Sequence, residues 1–406
     1  MPAPTIQVLV GFQTTTGFGN PFQLDNSTYG KLDTGTLGGL AYADLTQYVQ
    51  SININRGRNR QLDQFNAGTA VISFWNQSRI LDPLNTASPY YPYVTPRCPV
   101  IIRANGQPIY TGLVSDWNLD YEISNTDIMY ASCTDAFTVL ANQNLNAFTP
   151  SSELSSARIN TILDRPEILY QGPRSVSTGS STLGAFAVAQ DTNCLDYLQL
   201  VTQSEQGYLY VAEDGTLTFK GRTSVLNPVT GATFSPSGGI PYQTLINQYG
   251  DELLYNYVVT QSAAGAAQTN SSATSIALYQ SQNLSYLNLL NSTTDEVNAL
   301  GAYLLGKYKD PVLRFTGLST EMFALTTSQQ NTCISLDLTD IVTVTKTFAT
   351  GSPATVSQTV IVSGISHSIT PGSHIVAYTF ESTDQNQYLT LDNTIFGTLD
   401  ENLLAF

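Results

Sequence analysis

Apolar and polar residues alternate along much of this chain, and two segments between the alternating stretches switch to a helical period. Ala70, Ile72 and Phe74 fall on one face of a period-two run, the pattern of a half-buried strand. Val100–Ala104 pairs naturally with Ile109–Val114 across Asn105-Gly106, a hairpin turn signal. The loop from Leu81 to Tyr90 is too rich in Pro and Asn to continue a strand. Further strands are expected at Ile6–Val10, Leu119–Ile123 and Asp127–Cys133, so that 45–143 makes one barrel-like unit behind an N-terminal arm, 1–44.

The period then changes. Ser151 and Ser152 are placed to cap a helix carrying Leu154, Ala157, Ile159, Ile162 and Leu163, which Pro166 stops. A second helix follows the cap Asn193, with Cys194, Tyr197, Leu198 and Val201 at i, i+3, i+4 and i+7. A hairpin over Asp214-Gly215 completes a small α+β unit, 144–225. In 226–310, a mixed linking domain, Glu252–Thr260 reads as a strand and Ser262–Ser275 as an exposed loop. Thr293 and Glu296 form a capping box for a helix with Val297, Leu300, Leu304 and Tyr308 on one face. Strands return in 311–385, at Leu336–Thr345, Thr359–Ile369 and His374–Glu381, and their strand–turn–strand–Gly layout echoes Val100–Val114. The expected fold is therefore mainly β with an α+β insert: two related β-barrel domains flank a mixed middle.

A sequence repeat lies outside the barrels. Leu24-Asp-Asn-Ser-Thr-Tyr-Gly-Lys-Leu-Asp33 and Leu391-Asp-Asn-Thr-Ile-Phe-Gly-Thr-Leu-Asp400 share Leu, Asp, Asn, Gly, Leu and Asp in register, with Tyr29 aligned on Phe396. The Asp-Asn and Gly positions favour turns. Leu24, Tyr29 and Leu32, or Leu391, Phe396 and Leu399, supply apolar anchors, as expected of docking segments at the N-terminus and in 386–406.

Charge changes this picture more than length does. Only 12% of the 406 residues are charged, about half the usual share of roughly 25%. The polar surface must come from Ser, Thr, Asn, Gln and Tyr, which suits a subunit surrounded by others and equally a solvated β-protein poor in charge. A net charge of −15 argues against gripping a nucleic-acid backbone, and no sequence-specific nucleic-acid binding is expected. Six of the sixteen basic residues nevertheless lie between Arg56 and Arg103. Arg56, Arg58 and Arg60 share strand parity with Ile52 and Ile54, with Gly57 allowing a bulge or close backbone approach. Either acids of the same chain or a neighbouring subunit neutralise them, and both alternatives stay open.

Candidate chemistry is sparse. Cys98, Cys133, Cys194 and Cys333 form no C-x-x-C pair and read as small buried apolar residues. His367 and His374 flank Pro371-Gly372 without a supporting ligand cluster and read as satisfied surface residues, so no metal and no cofactor is expected. No nucleophile elbow, Walker A loop or H-E-x-x-H motif occurs. Glu205 is the most suggestive acid, but a packing contact within the insert is the better account. The start of the chain lacks a basic, apolar leader and no run approaches eighteen apolar residues, so neither a signal peptide nor a membrane span is expected.

Several stretches, each weakly specific, occur together in an order that resembles the minor tail or tail-hub proteins of long-tailed bacteriophages. They are Arg56-Gly57-Arg58, Phe65-Asn-Ala-Gly-Thr-Ala70, Asp82-Pro-Leu-Asn85, Ser88-Pro-Tyr90 and Pro99-Val-Ile-Ile-Arg103 in the first barrel. Asp196–Glu205, Leu209-Tyr-Val211 and Phe219-Lys-Gly-Arg222 look like the middle domain, and Pro311–Phe315 with Leu338-Thr-Asp340 like the entry to the second barrel. The resemblance implies a homotrimer in which two barrels per subunit make a quasi-sixfold ring, a non-enzymatic adaptor between sixfold tube and threefold tip. It implies a place in the virion at the tail tip after synthesis in the host bacterial cytoplasm. It also implies the distal tail, tape-measure and tip or receptor-binding proteins as partners in attachment and genome ejection. The low charge content departs from many relatives. The alternatives are a hexameric distal-tail ring protein, or a glycan-binding or glycan-cleaving protein using loops such as Tyr90-Tyr91-Pro92-Tyr93.

Overall fold

The structure is a computed structural model and describes residues 3–14, 39–121, 123, 127–225 and 231–383. The repeated segments with Leu24, Tyr29, Leu32, Leu391, Phe396 and Leu399 lie outside the described residues. Thirteen strands form one continuous sheet. In chain order they are β1 Ile6–Thr14, β2 Gly39–Asp44, β3 Val49–Gly57, β4 Asn66–Trp75, β5 Pro99–Ala104, β6 Gln107–Asp120 and β7 Ile128–Thr134. Then come β8 Ala232–Phe234, β9 Thr244–Gln248, β10 Arg314–Glu321, β11 Ile341–Thr347, β12 Thr355–Thr370 and β13 Ser373–Ser382. The order is β9-β10-β13-β12-β3-β4-β7-β6-β5-β1-β2, with β11 beside the first half of β12 and β8 beside β11.

Two lobes are legible in that order. In the first, β3, β4, β7, β6 and β5 pair in sequence, and in the second β9, β10, β13, β12 and β11 do the same, antiparallel throughout. The sixth strand differs: β1 is antiparallel to β5, but β8 is parallel to β11. Contrary to the expectation of two separate barrels, the lobes share one sheet, and among the described strands none closes into a barrel. The cause is the sixteen-residue β12, whose first half pairs with β11 and whose second half, Gly364–Ile369, pairs with β3 of the first lobe.

The alternation read from the sequence builds the core. Ile52, Ile54, Ala70, Ile72 and Phe74 are buried and join one apolar cluster with Val342, Val344, Val360, Val362 and Val376 of the second lobe. Helices α1 Ala136–Ala141, α2 Ser155–Leu163 and α3 Cys194–Glu205 pack in the insert with a small sheet of Arg174–Val176, Leu217–Lys220 and Tyr208–Val211. Helix α3 buries Cys194, Tyr197, Leu198 and Val201 under the Asn193 cap, as its spacing predicts. Helix α2 departs from expectation. It begins without a side-chain cap from Ser151 or Ser152, leaves Leu154 exposed and buries Arg158 instead.

The middle unit holds a second cluster, Val258, Tyr286 and Leu289 against Val297, Leu300, Leu304 and Tyr308 of a long helix, α5 Thr294–Tyr308, while a shorter helix, α4 Ala273–Tyr279, precedes it. The Ser262–Ser275 segment is not a plain loop, since strand Gln268–Ser271 and the start of α4 occupy it. Thr293 does accept from the Glu296 amide, but the Glu296 carboxylate turns to the Thr182 amide, so the box is half-formed. A complete capping box occurs at Thr326 and Gln329 before α6 Thr327–Ile334.

Candidate assembly surface

Strand β3 alternates buried and exposed residues from Ile52 onward, and Arg56 continues the buried face. Its guanidinium donates to Asp337 Oδ1 at 2.5 Å and to the Val211 carbonyl at 3.2 Å. Gly57 follows with φ +102°, at a register shift against β4, and a Cβ there would stand 2.3 Å from the Ser363 carbonyl oxygen. The close approach and the bulge expected of this glycine therefore coincide, and only Gly fits both. Arg58 then reaches Glu381 of β13, donates to the Asp63 carbonyl at 2.8 Å and lies over the Phe65 ring, 4.7 Å from its centroid. Burial works against the Arg58 charge, but Glu381, Tyr208 and Tyr308 together outweigh it and raise the pKa. Arg60 is exposed and pairs with Glu252 at 2.8 Å.

Of the two alternatives for these arginines, Arg56 and Arg58 take the internal one: their acids lie across the β3–β12 junction and staple one lobe to the other. Only Arg60 presents its charge substantially to solvent. Asp337 and Glu381 are 281 and 323 positions away from their arginines, and no spacing rule in the sequence links them. Around Arg56 the field is crowded. Burial and the Asp337 carboxylate push Glu213 up to about 8, with Arg56 opposing. Burial pushes Asp135 up to about 6, against the amides of Gly68 and Phe137 and the charge of Arg56.

The histidines also differ from expectation, since both are buried. The Gly-turn between β12 and β13 folds them together, His367 Nδ1 and His374 Nε2 standing 3.1 Å apart in one N–H···N hydrogen bond. Burial, the neighbouring imidazole and Arg56 hold His367 well below its usual range. Burial brings His374 down to about 4, with Glu321 opposing. Among the described residues no group of three or more His, Cys, Asp or Glu gathers as a metal site would require.

Glu205 is fully buried at the end of α3, where it accepts from Ser155 Oγ at 2.9 Å and from the amides of Ser180 and Ser181 at 2.9 and 2.7 Å. Those donors hold a carboxylate in place as a structural keystone. Arg158 is a second one that the pattern missed: it bonds Glu153, Tyr197 Oη and the carbonyls of Ser151 and Gly184. All four cysteines are free and buried. Tyr90 stacks on Phe12 with centroids 5.0 Å apart, which ties that loop to the first lobe, while Tyr91 is exposed. No helix among the described residues is long and apolar enough to cross a membrane.

What remains open on this molecule is backbone. Strand β9 pairs with β10 alone, and the second half of β6 with β7 alone, among the described residues. Next to the first of these edges, Ile246 and Tyr249 are 60% and 69% exposed.

No protein-family model matches the chain, and no curated protein matches its sequence. Its structural neighbours are phage tail proteins. A tail protein from Neisseria meningitidis MC58 superposes with a TM-score of 0.58 at 9% identity, over 94% of this chain and 97% of that one. The 43 kDa tail protein of prophage MuSo2 from Shewanella oneidensis gives 0.54 at 12% identity, over 84% and 94%. Prophage tail protein gp18 from Listeria monocytogenes EGD-e gives 0.52 at 10% identity, over 93% and 95%. At these identities the likeness is one of fold, and it spans nearly whole chains on both sides.

Proposed function

We infer that this chain is a non-enzymatic structural subunit of a phage tail tip, a homotrimeric hub whose two lobes per copy make a ring of six. Such a ring joins the sixfold tail tube to threefold parts at the tip. The observation that carries this reading is the repeat of strand order in the two lobes, because a threefold assembly presents six equivalent positions only if each subunit supplies two. The lobes then play the part of the two barrels, closing on neighbours rather than on themselves. The distal tail and tape-measure proteins would meet the ring from the tube side, and tip or receptor-binding proteins from the other, until the genome is ejected.

The anchors Leu24, Tyr29, Leu32 and Leu391, Phe396, Leu399 would dock both termini into like grooves. Each side chain of that size contributes roughly 1.5–3 kcal/mol when buried. Arg60, the arginine left exposed, is the member of its trio available to a neighbour.

Light scattering with imaging of the purified protein tests the reading: three copies and six lobes around a pore are expected. Six copies per ring would favour a distal-tail ring protein. A monomer that binds or cleaves bacterial glycans would replace the hub by the glycan reading. Phe396→Ala should weaken subunit association, and unchanged association would remove the docking role from that segment.

A further inference from the structure

We propose that copies of this chain join edge to edge, β6 of one copy running antiparallel beside β9 of the next, in the register that β12 and β3 adopt within the chain. The partner is a second copy of the chain. The contact deepens the hub reading and rests on it for the number of copies, not for the strands involved.

The two lobes repeat more than an order of strands. Leu113, Val114, Asp116, Trp117 and Asn118 face Thr134, Cys133, Ser132, Ala131 and Tyr130, with a register shift after Val114. Ile361, Val362, Gly364, Ile365 and Ser366 face Glu381, Phe380, Thr379, Tyr378 and Ala377, with the shift after Val362. The residue whose amide meets the strand at each shift is left-handed in both lobes, Arg97 at φ 68° and Thr339 at φ 72°. The Arg97 amide donates to the Val114 carbonyl at 2.6 Å and the Val114 amide to the Cys98 carbonyl at 2.8 Å. The Thr339 amide donates to Val362 at 2.7 Å and the Val362 amide to Asp340 at 2.8 Å. At that point both long strands leave their hairpin partner, β5 or β11, and one edge of their second half is released.

In the second lobe the released edge is taken. Ser366 faces Asn55 and Ser368 faces Asn53 of β3, the first strand of the other lobe. In the first lobe the counterpart edge, Asp116–Asp120, has no strand beside it among the described residues. The counterpart of β3 is β9, which also has a free edge. Leu245 faces Leu318 as Ile52 faces Ile72, and Asn247 faces Phe315 as Asn55 faces Thr69. One junction is thus made within the chain, and the two edges needed for its equivalent are left over on opposite lobes. Transferring the register puts Asn118 opposite Asn247 and Asp120 opposite Ile246, with Leu119 as a one-residue bulge, because β9 has its own shift between Ile246 and Asn247 and no counterpart of Ile54.

Two features of the side chains fit. Strand β9 reads Thr-Leu-Ile-Asn-Gln without a charge, whereas sheet edges that stay unpaired usually carry charges or Pro against pairing; the β6 edge does carry Asp116 and Asp120, so this feature speaks for β9 alone. The ion pairs of the internal junction are also removed on both sides together. Register places Gln248 where the internal junction has Arg56, and Thr95 where it has Asp337. It likewise places Gly250 for Arg58 and Thr134 for Glu381. No guanidinium would be buried unpaired, the Asp116 and Asp120 carboxylates stand on the exposed face of β6, and main-chain hydrogen bonds would carry the contact, as in strand addition generally.

The test is a cysteine pair, Asn118→Cys with Asn247→Cys, oxidised and run without reductant. Asn55→Cys with Ser366→Cys serves as the control of the same geometry inside one chain. The native thiols are all buried and give little background. Most chains should link into dimers and closed trimers, each single variant should stay monomeric, and the control should link without changing mass.

A linked control with unlinked Asn118–Asn247 overturns the proposal, and a trimeric ring by light scattering and imaging would then leave the hub reading standing. A ladder that runs past three copies supports the strand contact and removes the trimeric ring. If the control does not link either, hydrogen exchange decides. Amides of 116–120 and 244–248 gaining at least tenfold protection as the protein is concentrated supports the contact, and unchanged exchange overturns it.

Discussion

The buried histidine pair should make the fold lose stability as pH falls from neutral toward 4. An unfolded His titrates near 6.5, whereas burial lowers His374 to about 4 in the native protein. Between those values the unfolded chain binds the proton that the native state refuses, so stability is intact above pH 6.5 and declines through the window. Each tenfold difference in proton affinity is worth about 1.4 kcal/mol, so the loss is about 3 kcal/mol when complete and about 2.5 kcal/mol near pH 4.5. His367, more deeply buried and beside Arg56, acts in the same direction.

Two acids act the other way: Asp135 and Glu213, raised to about 6 and about 8, favour the native state as they take up protons. The total pH profile therefore mixes signs, and a difference measurement is required. Replacing both imidazoles (His367→Leu with His374→Leu) removes donor and acceptor together and leaves no orphaned partner. Urea unfolding of both proteins at neutral pH and near pH 4.5 should show the native protein losing at least about 2.5 kcal/mol more than the variant, the share of His374 alone. Equal losses would mean that the imidazoles already bear a proton in the folded state, or are reached by water, and the reasoning fails.

Arg58→Ala strands the Glu381 carboxylate in the core and should cost about 3–5 kcal/mol, whereas Arg60→Ala, which removes an exposed pair, should cost at most about 0.5 kcal/mol; unfolding midpoints of the two variants compare them directly. Glu205→Gln exchanges an acceptor-only carboxylate for an amide among hydroxyl and amide donors and should cost about 1–3 kcal/mol in the same assay. Neither the native protein nor that variant should hydrolyse bacterial surface glycans, and cleavage abolished by the substitution would return Glu205 to the list of catalytic acids.

What the sequence made legible was whatever a short-range period or turn encodes. The Asn105-Gly106 hairpin, the buried faces of α3 and α5 and the Asn193 cap all follow from residues within one turn of each other. Misreadings arose where a polar residue is buried with distant partners. Ala157 was counted with the apolar residues of α2, yet it is exposed and Arg158 is buried beside it, satisfied by four groups from three segments. The Ser262–Ser275 segment looked solvated because its residues are small and polar. Ser275 is buried, with Asn256 and the Lys309 carbonyl as its partners. The histidines looked like surface residues because each lacks a local partner and finds one only when the hairpin closes.

The relation between the lobes was visible only as an echo, and the reason is physical. What repeats is backbone: a register, a shift after Val114 and Val362, a left-handed residue at Arg97 and Thr339. Register asks only that apolar side chains recur every second position, so two sequences can meet it with few identities. The side chains diverge where the two junctions must differ. Within the chain the lobes meet through Arg56–Asp337 and Arg58–Glu381, pairs that are made once, on folding, and are costly to open. The counterpart positions Gln248, Thr95 and Thr134 are neutral, so a strand edge can remain in water before assembly without a buried charge awaiting its partner. One geometry thus suits both a permanent junction and, in the assembly proposed above, one formed between copies.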